Sequence, residues 1–438
     1  MRGARYAWHF KKEELIAFVD NDPAKIGGTY QGLPVISFDE YLEKHTDNFL
    51  IIGMIFEIEP IQTIEKLGIK NYLLFSECPA EYHMYYRQNY LWEYLKSVID
   101  ASKKYLIYGC NFYAIQLSEM IYEMTGRYAP IVPSRNFRQD RFHAFKRTIK
   151  GEIPVLNTGE DVDVDSILAA CEDDLDWLSG ESRCNSIINV FDCSDKIEAY
   201  HHPEIEQYKD KHLGQSCFVI GNGPSLRMSD LELLATNGIS TFAMNSIWRI
   251  FDKTTWRPTY YFAEDPRNFW DAYPTKEFIC QSDHGIEMMF LGDADKDFWK
   301  ENKPGGNYMV FHSHFEFSEF RHPKFSEDLS RKSYEGGTVA YSCLQMAAYM
   351  GFKNIFLLGM DRSDPNKGNN AMYGHVYTEE KLTSQSYDEG VRLGDESARK
   401  YADEHGINLY NATRGGFLEI YERVDFDYLF CNGKFIYE

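Results

Sequence analysis

Four short apolar runs in the second half of the chain end alike, and that recurrence limits the fold more than any other feature. Cys217-Phe-Val-Ile runs into Gly221-Asn222-Gly223-Pro224-Ser225, and Ile239-Ser-Thr-Phe-Ala-Met runs into Asn245. Thr259-Tyr-Tyr-Phe-Ala runs into Glu264-Asp265, and Asn354-Ile-Phe-Leu-Leu-Gly-Met runs into Asp361. Apolar runs of about four to eight residues read as strands buried on both faces. Helical signals lie between them. One helix is predicted from about Ser229, and another follows Gly336-Gly337-Thr338, its small and apolar residues recurring at helical spacing until Gly351. Strands alternating with helices predict an α/β fold with a mostly parallel sheet.

The first 200 residues predict two smaller modules of the same class, related by an imperfect repeat. One copy reads Leu15-Ile-Ala-Phe-Val-Asp-Asn-Asp-Pro, Tyr30-Gln-Gly-Leu-Pro-Val-Ile-Ser, a helix start over 39–44 and the strand Phe49-Leu-Ile-Ile-Gly-Met. The other reads Tyr128-Ala-Pro-Ile-Val, Ile149-Lys-Gly-Glu-Ile-Pro-Val-Leu-Asn, a helix from about Val164 and the strand Ser186-Ile-Ile-Asn-Val-Phe. The second copy opens with Lys104-Tyr-Leu-Ile-Tyr-Gly-Cys-Asn-Phe-Tyr, a strand passing through a Gly turn into a helix. The first lacks this opening, as a truncated gene start or a domain without its nucleotide end would. Gly109-Cys110-Asn111 is a degenerate dinucleotide fingerprint, which predicts a scaffold rather than a ligand site. The expected division is an incomplete Rossmann-like module over 1–90, a second Rossmann-like module over 91–200, a polar linker over 201–215 and a Rossmann-like α/β domain over 216–438. The first copy also resembles the N-terminal module of sugar-modifying acyltransferases, which implies fold more than chemistry.

Charge narrows the partners. Lys and Arg number 46 against 67 Asp and Glu, a formal net charge of −21. Such a surface repels a phosphate backbone and argues against a general nucleic-acid binder, though not against one nucleotide in a local site. Nine cysteines include no C-x-x-C pair, which disfavours zinc ribbons, redox dithiols and a disulfide framework and predicts a reducing cytoplasm. The opening MRGARYAWHF has no apolar core of a signal peptide, and no apolar run reaches the roughly 18 residues of a membrane span. A homo-oligomer is left open.

The richest chemical signal is the stretch from Gly221 to Ser225. Gly221 and Gly223 are expected to turn at positive φ, Asn222 to present its amide, and Ser225 to add a hydroxyl beside the N–H groups of a helix start. Together they predict a phosphate cradle, and the missing Lys separates it from a Walker loop. Ligands of open parallel sheets sit outside the carboxyl ends of the strands, so Asn245, Asp265 and Asp361 are expected to join the loop there. Structural readings stand beside these: a turn for Asn245, helix caps for Asp265 and Thr338. His312 and His314 share a strand face, with His322 nearby; without a third ligand at fixed spacing they read as acceptor-site lining or a partly buried strand before zinc. Arg321, Arg331 and Lys332 either attract an anion or form a solvated face. Arg414, in Asn411-Ala-Thr-Arg-Gly-Gly, either meets substrate or lies in a surface turn.

Taken in order, Gly221-Asn-Gly-Pro-Ser-Leu, Met244-Asn-Ser, a strand ending before Pro266, Gly336-Gly-Thr with its helix, and Gly351-Phe-Lys-Asn-Ile-Phe-Leu-Leu-Gly-Met-Asp resemble the MptE-like domain family. Its relatives include motility-associated flagellin glycosyltransferases and archaeal 6-hydroxymethylpterin diphosphokinases. The same order is similar to bacterial sialyltransferases of glycosyltransferase family 42. The resemblance spans about residues 214–415 and implies a nucleotide-binding transferase. By it, Gly221, Asn222, Gly223, Ser225, Asn245, Asp265, Gly337, Thr338 and Asp361 hold the nucleotide, and Tyr373 and Tyr377 assist phosphate departure. The sialyltransferases carry a general-base His further on; here Asp388-Glu389 fall there, and His375 is the nearest imidazole. The resemblance implies transfer of a nonulosonic, sialic-acid-like sugar from a CMP-type donor to a cell-surface glycan or protein. Tyrosine hydroxyls and backbone N–H groups would stabilise the departing phosphate without a metal. Two alternatives stand: an ATP-dependent diphosphokinase with Mg²⁺ on Asp265 and Asp361, and a non-catalytic nucleotide-sugar-binding scaffold.

Overall fold

The computed structural model of the chain describes residues 15–30, 32–52, 63–64, 66–74, 90–109, 112–134, 147–148, 151–156, 163–171, 186–264, 274–281, 284–293, 298–314, 322–362, 373–375, 378–382 and 385–437. Two units divide it, Met1–Ser194 and Asp195–Glu438.

The first unit makes the sequence repeat visible. Phe18–Val19 pairs in parallel with Leu33–Ile36, which turns back on Thr29–Tyr30. In the second copy Ile131 bridges in parallel to Val155, and Gly151–Glu152 turns back on Arg147–Thr148. The two -Pro-Val- segments thus hold equivalent places. Ser37 caps the helix Phe38–Lys44 by accepting the Glu40 N–H at 3.0 Å. The helix expected from Val164 is not formed. Ser166–Ala169 is a fully buried strand between Tyr105–Tyr108 and Ile187–Asn189, in a four-stranded parallel sheet. A short apolar run carries no period that separates a central strand from a buried helix, and here the sheet claims it. At Gly109 an added Cβ would lie 3.0 Å from Cys171 Sγ, so a close packing contact calls for the small residue there.

The second unit is built on an eight-stranded, wholly parallel sheet. Its strands are β1 (Ser216–Ile220), β2 (Ser240–Met244), β3 (Tyr260–Ala263), β4 (Met288–Gly292), β5 (Tyr308–Phe311), β6 (Asn354–Leu358), β7 (Asn408–Asn411) and β8 (Glu422–Arg423), in the order β5-β4-β3-β2-β1-β6-β7-β8. Alternate residues feed two cores. Cys217 and Val219 join the cluster under helix α2 (Val339–Tyr349), while Phe218 and Ile220 join the one under helix α1 (Met228–Thr236). With both faces covered, the strands can be apolar throughout. Helix α3 (Gln385–His405) packs against α2.

Residues 201–215, expected as a linker, belong to this unit. The short turn Pro203–Tyr208 buries Ile205 and Tyr208 in the core, and the N–H groups of Asp210 and His212 donate to the carbonyls of Tyr349 and Met350 at 3.0 and 2.8 Å. Two apolar anchors among polar neighbours are enough to dock the segment. No helix among the described residues is long and apolar enough to cross a membrane.

The strand order contains one reversal. The chain steps outward from β1 to β5, then returns to place β6 on the other side of β1. The crevice at such a reversal is where open α/β sheets bind ligands.

Candidate functional site

The stretch from Gly221 to Ser225 leaves β1 at that reversal and lies along the end of β6. The Gly221 N–H donates to the Leu358 carbonyl and the Gly223 N–H to the Gly359 carbonyl, both at 2.8 Å. Positive φ, expected at Gly221 and Gly223, occurs instead at Gly359 (70°), Asn245 (51°) and Arg362 (56°). The loop glycines answer closeness rather than twist. A Cβ on Gly221 would collide with the Gly359 carbonyl, and one on Gly223 would enter the Asp361 carboxylate and lie 2.6 Å from that carbonyl.

Ser225 also differs from expectation. Helix α1 starts at Met228 and has no side-chain cap at Arg227. Ser225 turns to Asp361 instead: its hydroxyl donates to Asp361 Oδ2 at 2.8 Å and its N–H to the same oxygen at 3.4 Å. Burial raises the Asp361 pKa, against the lowering effect of those two Ser225 donors. The neighbouring guanidinium of Arg362 is held by Asp395, through Nη2 at 2.9 Å and Nε at 3.1 Å, and Tyr421 donates to Asp395 Oδ1 at 3.1 Å.

Asn222 reaches across to β2, donating from Nδ2 to the Met244 carbonyl at 3.3 Å. Its Oδ1 is buried and has no hydrogen-bond partner among the described residues. Such an acceptor costs about 1–3 kcal/mol unless something donates to it. The next residue of β2's end, Asn245, is left-handed at φ 51°, and its carbonyl accepts the Tyr261 hydroxyl at 2.6 Å. Strained residues of this kind gather at ligand sites. Helix α2 precedes the parallel strand β6, so its N-terminus lies at the same carboxyl rim. Thr338 occupies the N-cap position there, yet its hydroxyl makes no cap bond. Gly337, at φ 75°, admits α3: an added Cβ would lie 2.9 Å from the Val391 nitrogen.

Residues 193–367 match a family model described as 6-hydroxymethylpterin diphosphokinase MptE-like. The matched segment lies almost wholly in the second unit. The match covers about two-fifths of the chain and takes in β1 to β6 with the reversal between them, whereas the resemblance read from the sequence spans 214–415. No curated protein matches the chain.

Within the matched segment, Asn222, Ser225, Asn245 and Asp361 gather around the ends of β1, β2 and β6. Asp265 and Tyr377 lie outside the described residues. Tyr373 and His375 fall on a short strand, Tyr373–His375, paired antiparallel with Thr378–Leu382, and Asp388 and Glu389 on the first turns of α3; of these four only the backbone is described. Arg414 is engaged by two carboxylates of its own unit. Its Nε and Nη2 meet Asp230 at 2.6 and 3.0 Å, and Nη1 meets Asp427 at 2.9 Å. Lys332 pairs with Asp195 at 2.6 Å and Arg331 with Glu198 at 3.7 Å, both acids at the surface, and His322 meets Glu396 at 2.7 Å. Arg321 lies outside the described residues.

Sequence reasoning named Glu264 at a strand end and His312 as acceptor-site lining but passed over Asp293, which joins them in a second polar group on the sheet's carboxyl rim. Glu264, Asp293 and His312 directly follow β3, β4 and β5, and all three side chains are largely buried. His312 Nδ1 meets Asp293 Oδ2 at 2.9 Å, and its ring stacks on Tyr200 at 3.7 Å. The signal was available: Met288-Met-Phe-Leu-Gly-Asp293 ends as Asn354 to Asp361 does. Among the described residues no group of three or more His, Cys, Asp and Glu is placed to hold a metal ion.

Burial opposes ionisation of Asp293, yet His312 and His202 bring its pKa down to about 2 from an ordinary 3.8. A lowered folded-state value means that Asp293 contributes about 2 kcal/mol above about pH 4, and that this contribution disappears as the pH falls through about 2. Urea unfolding at pH 7 and pH 3 should therefore show a smaller acid loss in Asp293→Asn than in the parent. An equal loss in both would show that Asp293 is not held down.

Proposed function

We propose that the chain is a nucleotide-dependent transferase whose donor sits at the β1/β6 reversal, with its phosphates over Ser225 and the N-terminus of α2. The observation that carries this is the buried Asn222 Oδ1. It is an acceptor and calls for a donor, which a ribose hydroxyl or a base amino group supplies and an ionised phosphate does not. The left-handed Asn245 beside it and the uncapping hydroxyl of Thr338 at a helix N-terminus suit the same ligand. Our leading reading is glycosyl transfer from a CMP-type sugar, of the nonulosonic class, to a cell-surface glycan or protein. In it Tyr373 and Tyr377 stabilise the departing phosphate, and His375 is the imidazole that the resemblance puts nearest the sialyltransferases' general base.

A second reading, ATP-dependent diphosphoryl transfer, is favoured by Asp361. Its carboxylate sits on the donors of Ser225, where it would repel a phosphate, and Arg362 is turned to Asp395. A divalent cation would reconcile carboxylate and phosphate. Mg²⁺ is commonly bound by only one or two carboxylates together with substrate phosphates, so Asp361 is a fitting ligand, and the ion would supply charge neutralisation there. A non-catalytic nucleotide-sugar scaffold is the remaining alternative.

Thermal unfolding with CMP, CDP, UDP and ATP, each with and without Mg²⁺, separates these readings. A ligand at 100 times its Kd adds about 2.7 kcal/mol, a shift of several degrees. Stabilisation by cytidine nucleotides without metal supports glycosyl transfer. Stabilisation only by ATP with Mg²⁺ supports the diphosphokinase. No shift with any of them would refute the nucleotide site.

A further inference from the structure

We propose that His312, oriented by Asp293, is the base that takes the acceptor's proton, and that the acceptor enters over the ends of β3 to β5. The proposal rests on the transferase reading above and holds for either donor, because glycosyl and diphosphoryl transfer both deprotonate an acceptor hydroxyl. Position is the first support. Glu264, Asp293 and His312 stand on the same carboxyl rim as the donor loop, after three adjacent strands. At about 4.8 Å per strand, β3 ends about 10 Å and β5 about 19 Å from β1. The acceptor would lie alongside the donor rather than on it.

Orientation is the second support. Asp293 grips Nδ1 of His312 with both oxygens, at 2.9 and 3.1 Å, while Tyr200 stacks on the ring within 13° of parallel. A carboxylate on Nδ1 fixes the tautomer whose basic atom is Nε2. Asp293 is itself fixed by the Ser313 N–H at 3.2 Å, with His202 Nε2 at 3.9 Å. Ser313 also donates from its hydroxyl to Glu264 Oε2 at 3.2 Å, and Ser342 of α2 donates to that oxygen at 2.6 Å. Among the described residues, the charged and titratable groups around His312 include Asp293, His202, Tyr200 and, through Ser313, Glu264. Burying two carboxylates and two imidazoles is costly where an apolar core would pack as well, so their presence at a sheet's binding rim asks for a function.

In the step, the acceptor O–H bond breaks and its proton passes to His312 Nε2. The acceptor oxygen bonds to the transferred carbon or phosphorus. The bond from that atom to the donor phosphate oxygen breaks, and its electron pair leaves on the nucleotide. Asp293 is a positioning residue.

The test uses the full chain, its His312→Gln, Asp293→Asn and His375→Gln variants, and two probes with water as acceptor, CMP-N-acetylneuraminate and ATP with Mg²⁺. Nucleotide Kd is measured by calorimetry and cleavage as a function of pH. His312→Gln should bind nucleotide within twofold of the parent and cleave it at least 100-fold more slowly, within the range of general-base losses. Asp293→Asn should move the acid limb of the pH–rate profile. Parental cleavage by His312→Gln, with the loss falling on His375→Gln, would overturn the proposal and leave the nucleotide reading intact. Should His312→Gln not fold, an unmoved profile in Asp293→Asn overturns it alone. A parent that binds or cleaves neither probe removes the transferase reading and this proposal together.

Discussion

Replacing Arg414 by alanine is expected to destabilise the second unit by about 3–5 kcal/mol, the usual consequence of leaving a buried charge without its partner. The stranded group is Asp230, on α1, whose side chain is 5% exposed and takes two bonds from the guanidinium. The same guanidinium reaches Asp427 and lies over the Phe426 ring at 5.1 Å, so one side chain ties α1 to the C-terminal turn Phe426–Leu429. Arg414→Lys should recover only part of the loss, because an ammonium cannot span both carboxylates with the planar fork. Urea midpoints of the three proteins measure this. A loss below about 1 kcal/mol for Arg414→Ala would mean that Asp230 finds water or another donor.

The second large effect is expected at Gly223. An alanine there places its methyl into the Asp361 carboxylate and against the Gly359 carbonyl, which is backbone and cannot swing aside. Overpacking of this kind costs about 1–3 kcal/mol. If the loop must part from β6, Ser225 and Asn222 lose their places, and nucleotide affinity should fall at least tenfold, about 1.4 kcal/mol. Calorimetry on Gly223→Ala with the nucleotide that stabilises the parent reads this directly. Unchanged affinity would mean that the loop tolerates displacement and does not grip the ligand.

The parallel sheet and the rim on which the site lies were legible in the sequence because each strand announces its end. Apolar runs stop at Gly221, Asn245, Glu264 and Asp361, and in a parallel sheet those stops share one edge. What the sequence concealed is pairing across distance. Ser225 and Asp361 are 136 residues apart, so the turning of the loop onto a carboxylate could not be read from either segment. The loop glycines were legible as special residues, yet their reason was not: contact with β6 demands them, and positive φ falls on Gly359, Asn245 and Arg362. Arg414 looked free in its loop because Asp230 is 184 positions away. Ser166–Ala169 was misread for a different reason, since a run buried on all sides erases the periodicity that distinguishes strand from helix.

The most direct measurement is a crystal structure of the full chain grown with the nucleotide that stabilises it. Density for the nucleoside is expected within hydrogen-bond reach of Asn222 Oδ1, with phosphates beside Ser225 and the start of α2. A nucleotide bound elsewhere, with the loop from Gly221 to Ser225 still closed on Asp361, would contradict this expectation.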